Sequence, residues 1–238
     1  MIFFYIRHGD PIYKPDSLTP LGERQAEAVG KRLALYGLDE IYSSTSERAI
    51  LTAKPACELL GKEPILLDFA NEAYVHRELS VVRNEKRGWL FTDFEMSRLF
   101  HSPELRALGD RWYEHPALAE YDYKKGIDRV YDGADQLLAS LGYEHDRYTG
   151  SYRVVAPNDK RVALFAHEGF GHAFLSCLLD IPYPQFCTHF HLGHSSVTVI
   201  EFREWEEGFC IPRVCTLAND GHLYREGLPT KYLGRFSF

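Results

Sequence analysis

Methionine (2 residues), tryptophan (3) and net positive charge are all scarce in this chain of 238 residues. Acidic side chains outnumber basic ones, 34 to 27, for a net charge of −7 and a pI of about 5.9, so no global field draws nucleic acid or an anionic membrane. No stretch approaches the roughly 18 consecutive apolar residues of a membrane span. The chain begins a strand at once, without a basic or cleavable apolar leader, and reads as cytoplasmic. Its five cysteines, Cys57, Cys177, Cys187, Cys210 and Cys215, are odd in number, irregularly spaced and free of a CxxC pair, which favours reduced core thiols over a disulfide framework. No oligomeric state can be read from the sequence.

What is present is ordinary globular material, 45% hydrophobic and 26% charged, enough for one large α/β domain over residues 1–238. The opening run, Phe3 to Ile6, is apolar, rich in aromatics and too short for a helix, so it reads as a buried strand that stops at Arg7, His8 and Gly9. Ligands bind at the carboxyl ends of strands in open α/β sheets, which puts both charged groups where an anion is met. Imidazole is largely unprotonated near neutral pH and can act as a nucleophile, while guanidinium grips phosphate in two places.

Thr19 and Pro20 mark an N-cap and first helical residue, with the helix running to about Tyr36 and Gly37 ending it. A second strand is expected over 39–42, then a helix with Ala49, Ala53, Ala56 and Leu60 on one face and Gly61 as its stop, then a third strand over 64–67. That alternation predicts a three-layer α/β/α sandwich with a mixed, mostly parallel sheet. Residues 83–125, crowded with Arg, Trp, Phe and Tyr, read as a helical cap insertion, including a helix over 95–108. An apolar stripe from Ile127 to Leu141 marks another helix, and 161–166 a second buried strand, which delivers His167 before a helix over 171–179. Residues 196–202 and 209–216 are expected to pair as antiparallel strands.

Two buried strands thus end in a histidine, and Arg48 falls in the first turn of the helix after the second strand, on the same rim. Arginine opposes the helix dipole there, and an anionic partner accounts for its placement.

The series Arg7-His8-Gly9, Leu18-Thr19-Pro20-Leu21-Gly22 with Gln25-Ala26, Ser44 through Arg48-Ala49 to Thr52-Ala53, Asn71-Glu72, Ala166-His167 with Gly169, Ser195-Ser196-Val197-Thr198 and Leu217-Ala218-Asn219-Asp220-Gly221-His222-Leu223 resembles the histidine phosphatase superfamily, the phosphoglycerate-mutase-like proteins. These patches frame the first and last thirds of the chain. The resemblance implies phosphoryl transfer without metal or cofactor, through a phosphohistidine on His8, with Arg7, Arg48 and His167 around the phosphate and Glu72 as general acid. It also brings Gly9, Ser17, Glu168, Gly169 and His194 to the substrate. Glu168 competes with Glu72 for the acid's role, because the acid-phosphatase branch carries an aspartate directly after its second histidine; Glu78 is a third candidate. Where the mutases carry an asparagine that contacts phosphate, this chain has Asp10-Pro11-Ile12-Tyr13-Lys14, leaving Ser17 or Lys14 as a replacement, and His194 stands where relatives carry another asparagine.

The expected function is hydrolysis of a small phosphomonoester, the partner being that small molecule, with no nucleic acid and no membrane. Mutase-type transfer and non-catalytic phospholigand binding are the alternatives. A zinc-protease helix at His167 to His172 is rejected: five residues of separation put the histidines about 140° apart, and the glycines between them suit a turn. The cluster Cys187, His189, His191 and His194 has soft metal ligands, and in an extended segment three of them share a face; a histidine-rich lead into the final hairpin is the preferred reading, with no metal assigned. Tyr13, Tyr74, Trp89, Phe91 and Trp112 are candidates for the cleft wall.

Overall fold

The computed structural model describes residues 1–232 and 236–237. Six strands form the main sheet, in the spatial order Arg213–Asn219, Val197–Glu201, Ile2–Arg7, Arg161–Ala166, Glu40–Ser44, Ile65–Leu67. Val197–Glu201 runs against both of its neighbours, and the pairs from the opening strand to Ile65–Leu67 are parallel. The sheet is therefore mixed and mostly parallel, with helices on both faces.

Alternation along the strands separates the two cores. Phe4 and Ile6 join Val29 and Leu33 of the helix Pro20–Tyr36 and Ala53 and Ala56 of the helix Glu47–Leu60. Phe3 and Tyr5 point the other way, into a cluster with Val130 and Ala134 of the helix Tyr123–Ser140 and Phe170 and Phe174 of the helix Glu168–Leu179. Each fully buried phenylalanine contributes roughly 1.5–3 kcal/mol through apolar area removed from water. Trp112, named above as a cleft-wall candidate, is buried in the second cluster, stacked between Tyr123 and Tyr183 at centroid distances of 5.7 and 5.5 Å.

Register positions the chemistry. Ile2 pairs with Arg161 and so on to Arg7 with Ala166, which makes His8 and His167 leave the sheet side by side although 159 positions separate them; the His8 amide still donates to the Ala166 carbonyl at 2.9 Å. The first helix begins as expected, with Thr19 Oγ1 accepting from the Gly22 amide and Pro20 in the first turn, and it stops at Gly37 with φ of 71°.

Five expectations are corrected. The helix after His167 begins at Glu168, not at 171. Its glycines serve packing rather than a turn: a Cβ on Gly169 would stand 2.3 Å from the Trp89 ring, and one on Gly171 2.6 Å from the Tyr5 hydroxyl. The strand foreseen over 209–216 is two strands. Phe209–Cys210 pairs with Ser151–Val154 in a separate small sheet and Arg213–Asn219 with Val197–Glu201; Pro212, which lacks an N–H, lies between them. The helix over 95–108 is likewise two, Phe94–Phe100 and Pro103–Arg106, because Ser102 caps a new start at Pro103. Lastly, a hairpin, Ser80–Arg83 with Lys86–Trp89, opens the segment read as helical, turning through Asn84 and Glu85, both at positive φ. Among the described residues no helix is long and apolar enough to cross a membrane.

Candidate active site

Around the paired strand ends, contacts close backbone to backbone before any side chain takes part. A Cβ on Gly9 would lie 2.6 Å from the Gly22 carbonyl oxygen, so glycine alone lets the opening strand's exit lie against the first helix. The Gly9 amide donates to Thr52 Oγ1 at 3.0 Å, and Thr52 in turn donates to the Arg48 carbonyl at 2.7 Å. The His8 loop is thereby tied to the helix that carries Arg48.

His8 is buried, and its Nδ1 lies 2.7 Å from the carbonyl of Gly9. A carbonyl only accepts, so Nδ1 carries the proton and the Nε2 lone pair remains for chemistry. Burial, followed by His167, Arg7 and Arg48, holds the His8 pKa well below the usual imidazole range, so the ring is neutral at physiological pH. The rings of His167 and His194 approach it at centroid distances of 5.2 and 5.6 Å.

Each arginine is held by carboxylates. Arg7 pairs with Glu168 at 3.0 Å and donates to the Leu192 carbonyl, with its Nη2 2.9 Å from His194 Nε2. Arg48 donates to Asp16 at 2.8 Å and lies 3.5 Å from Glu72, with the Tyr13 ring 5.5 Å from its guanidinium carbon. One donor atom on each, Arg7 Nε and Arg48 Nε, is nevertheless buried without a hydrogen-bond partner among the described residues. Unpaired buried donors carry a desolvation penalty that an anion relieves.

Glu72 begins the short helix Glu72–Glu78, capped by Asn71. Its Oε1 accepts from the Phe170 amide at 3.2 Å and its Oε2 faces His167 Nδ1 at 3.2 Å. The latter contact is at ion-pair distance, so the carboxylate and the imidazole of His167 already act on one another before any ligand arrives. Burial pushes the Glu72 carboxyl up, but His167, Arg48 and Arg7 together hold it below the usual range. His167 Nε2 meets Ser44 Oγ at 2.8 Å, and burial lowers the pKa of its imidazole, against the pull of Glu72.

Glu168 differs in its partners. It accepts from His191 Nδ1 at 2.6 Å and from the Leu192 amide at 3.2 Å as well as pairing with Arg7. Burial opposes its charge, yet these partners hold its pKa at about 2. His194 bridges Arg7 and Asp10, with burial and Arg7 keeping it at about 3. Gly169 packs between Glu72 and the Trp89 ring edge. Ser17 lies on the small hairpin opposite Ile12, while its neighbour Asp16 is the residue that reaches Arg48. Glu78 pairs instead with Arg129 at 2.7 Å.

The sequence reading missed Asp16 and His76. Neither stands in a periodic or motif position; only the folded hairpin and the helix at Glu72 bring them in. A cavity of about 540 Å³ opens beside Arg48 and Glu72, walled further by Tyr13, Trp89, His76 and Glu47. The cysteine and histidine cluster disperses: Cys187 and His189 lie on the helix Tyr183–His189 rather than in an extended segment, His191 serves Glu168, and His194 serves Arg7. Donor atoms of His8, Glu72 and His167 lie within 4.8 Å of one another, as do those of Asp135, His145 and Cys177. In both sets a carboxylate already faces an imidazole, at 3.2 Å between Glu72 and His167 and 2.8 Å between Asp135 and His145.

The sequence model of the histidine phosphatase superfamily (branch 1) matches residues 4–77. Solved structures share the fold over most of the chain. A protein described as mycobacterial hydrolase 1 is 20% identical, with a TM-score of 0.60, over 92% of this chain and 98% of its own. A phosphoserine phosphatase from Entamoeba histolytica, solved with 3-phosphoglyceric acid, is 21% identical (TM-score 0.58, 93% and 98% covered). A mycobacterial glucosyl-3-phosphoglycerate phosphatase is 18% identical (TM-score 0.59, 91% and 98% covered). No curated protein matches the chain significantly. The chain thus resembles the histidine phosphatase superfamily (branch 1) in sequence over residues 4–77, and it shares its fold with these solved structures over more than nine-tenths of its length.

Proposed function

We propose that the protein is a metal-independent phosphomonoesterase that hydrolyses a small phosphate ester through a phosphohistidine on His8. One observation carries the reading: a neutral imidazole with its Nδ1 proton fixed by Gly9 lies beside His167 and in the field of Arg7 and Arg48, each of which keeps a buried Nε without a hydrogen-bond partner among the described residues. Such donors suit the charge on the equatorial oxygens of a transferring phosphoryl group. His8 Nε2 attacks phosphorus as the P–O bond to the alcohol breaks, and Glu72 gives the leaving oxygen its proton. Glu72 then takes a proton from water as that water attacks the phosphohistidine, returning His8 and releasing phosphate. The phosphatase names of the structural neighbours support this reaction class. Residues 83–125 act as the cap over the site, contributing Trp89.

The test is incubation with an aryl phosphate, with and without chelator, followed by assay for acid-labile phosphate on the enzyme. Turnover that survives chelation, with a label that disappears in His8→Ala, is expected. Absence of both turnover and label would sink the proposal, and activity lost to chelator would point to a metal at His8, Glu72 and His167.

A further inference from the structure

The cavity beside Arg48 and Glu72, which receives the leaving alcohol in the reaction proposed above, is built from different chemistry than the surroundings of His8. Trp89 is fixed in place: its ring stacks on Phe91 at 5.5 Å and 23°, and His76 meets it edge-on at 4.8 Å. Its ring edge also lies beside Glu72, since a single Cβ added to Gly169 would touch both, at 2.3 and 2.8 Å. Glu72 protonates the departing oxygen in the reaction proposed above, so the alcohol leaves along the Trp89 wall. Tyr13 stands at the Arg48 side of the same cavity.

Charge on this lining is one-sided. Glu47, exposed in the first turn of its helix, and Asp16 supply carboxylates. Arg48 is the one Lys or Arg among the described lining residues, and it is already engaged by Asp16 and Glu72 before phosphate arrives. His76 adds no cation at neutral pH, because burial lowers its pKa below the usual value. A carboxylate on the leaving group would meet Glu47 and Asp16 with Arg48, already shared between Asp16 and Glu72, as the one Lys or Arg among the described lining residues, whereas hydroxyls donate to carboxylates and a ring face covers an aromatic wall.

We infer that the site takes the phosphate ester of an uncharged, hydroxylated, ring-bearing alcohol and discriminates against phosphorylated acids. This rests on the phosphatase reading, and the experiment separates the two. kcat/KM is measured for glycerol 3-phosphate, 3-phosphoglycerate, a hexose 6-phosphate and an aryl phosphate. The first pair differs by a hydroxymethyl group against a carboxylate and reads charge; the third against the first reads the ring. Glycerol 3-phosphate should exceed 3-phosphoglycerate by tenfold or more, and the hexose ester should exceed glycerol 3-phosphate by at least fivefold. Glu47→Lys should narrow the first ratio and Trp89→Ala the second. If aryl phosphate is turned over through His8 while 3-phosphoglycerate equals or beats glycerol 3-phosphate, the specificity inference falls and the phosphatase stands. If no ester is turned over and His8 takes no label, both fall together.

Discussion

Glu72 and Glu168 are both buried glutamates beside an arginine, and their hydrogen-bonding separates their roles. Glu168 accepts from His191, from the Leu192 amide and from Arg7, which holds it at about 2 and commits its oxygens to fixed partners. Glu72 has one backbone donor, with His167 at 3.2 Å and Arg48 at 3.5 Å, and it faces the cavity. Glu72→Gln should therefore lower kcat by about 10²- to 10⁴-fold, the usual worth of a general acid. Glu168→Gln loosens Arg7 and should act mainly on KM, raising it several-fold while kcat falls less than tenfold. Steady-state kinetics on both variants decides, and equal losses in kcat would remove the distinction. The sign of Glu168's effect on stability follows from its depressed pKa: the contribution is present above about 4.5 and is lost as pH falls through about 2.

Among the elements, the opening strand and Arg161–Ala166 were legible because each is a short apolar run ending in a histidine, and parallel pairing of the two then forces His8 and His167 together. The hairpin at 80–89 was not, since Arg83, Lys86, Arg87 and Gly88 give it no alternation; its turn and the Arg83 pairing with Asp93 at 2.6 Å hold it instead. Asp16 escaped for a related reason, its partner Arg48 lying 32 positions away. A second buried polar knot has an element-scale consequence. His145, on the strand Tyr143–Asp146, lies between Asp135 of the helix Tyr123–Ser140 at 2.8 Å and Asp180 at the end of Glu168–Leu179 at 3.0 Å, stacked on Tyr152. Burial opposes its charge, but the two aspartates prevail and raise its pKa to about 9. A raised pKa gives stability that is complete below the unfolded value near 6.5 and lost as pH climbs through about 9, amounting to about 3 kcal/mol at most. Urea melts of wild type and His145→Gln should differ most near pH 6 and converge near pH 9.5. A gap independent of pH would show that packing, not the imidazolium, holds the two helices to that strand.

At the scale of the whole molecule, a net charge of −7 works against capture of a phosphate dianion, although salt screens that field beyond about 8–10 Å. Within the site the imbalance persists: Arg7 and Arg48 face Asp16, Glu72 and Glu168. Burial keeps the neighbouring histidines uncharged, with His172 at about 4 and His194 at about 3. A dianion added to that arrangement leaves buried negative charge in excess, and a proton taken up on binding relieves it. Glu72 and His167, 3.2 Å apart, form the coupled pair best placed to receive it, because the cations that hold Glu72 down are the ones the phosphate would engage. Binding that takes up one proton tightens about tenfold for each unit of pH lost. A phosphate monoester has its own second pKa near about 6, so uptake seen above pH 7 belongs to the protein. The affinity of a non-hydrolysable α,α-difluorophosphonate, whose second pKa lies close to a phosphate monoester's, monitored from pH 8.5 to 7.5 should therefore rise close to tenfold in wild type, with calorimetry in buffers of different ionisation enthalpy counting one proton. Glu72→Gln should bind more tightly at pH 8.5 and lose most of that slope. A flat profile in wild type would mean that the two arginines balance the dianion unaided, and the proton for the leaving group would then have to arrive with the substrate.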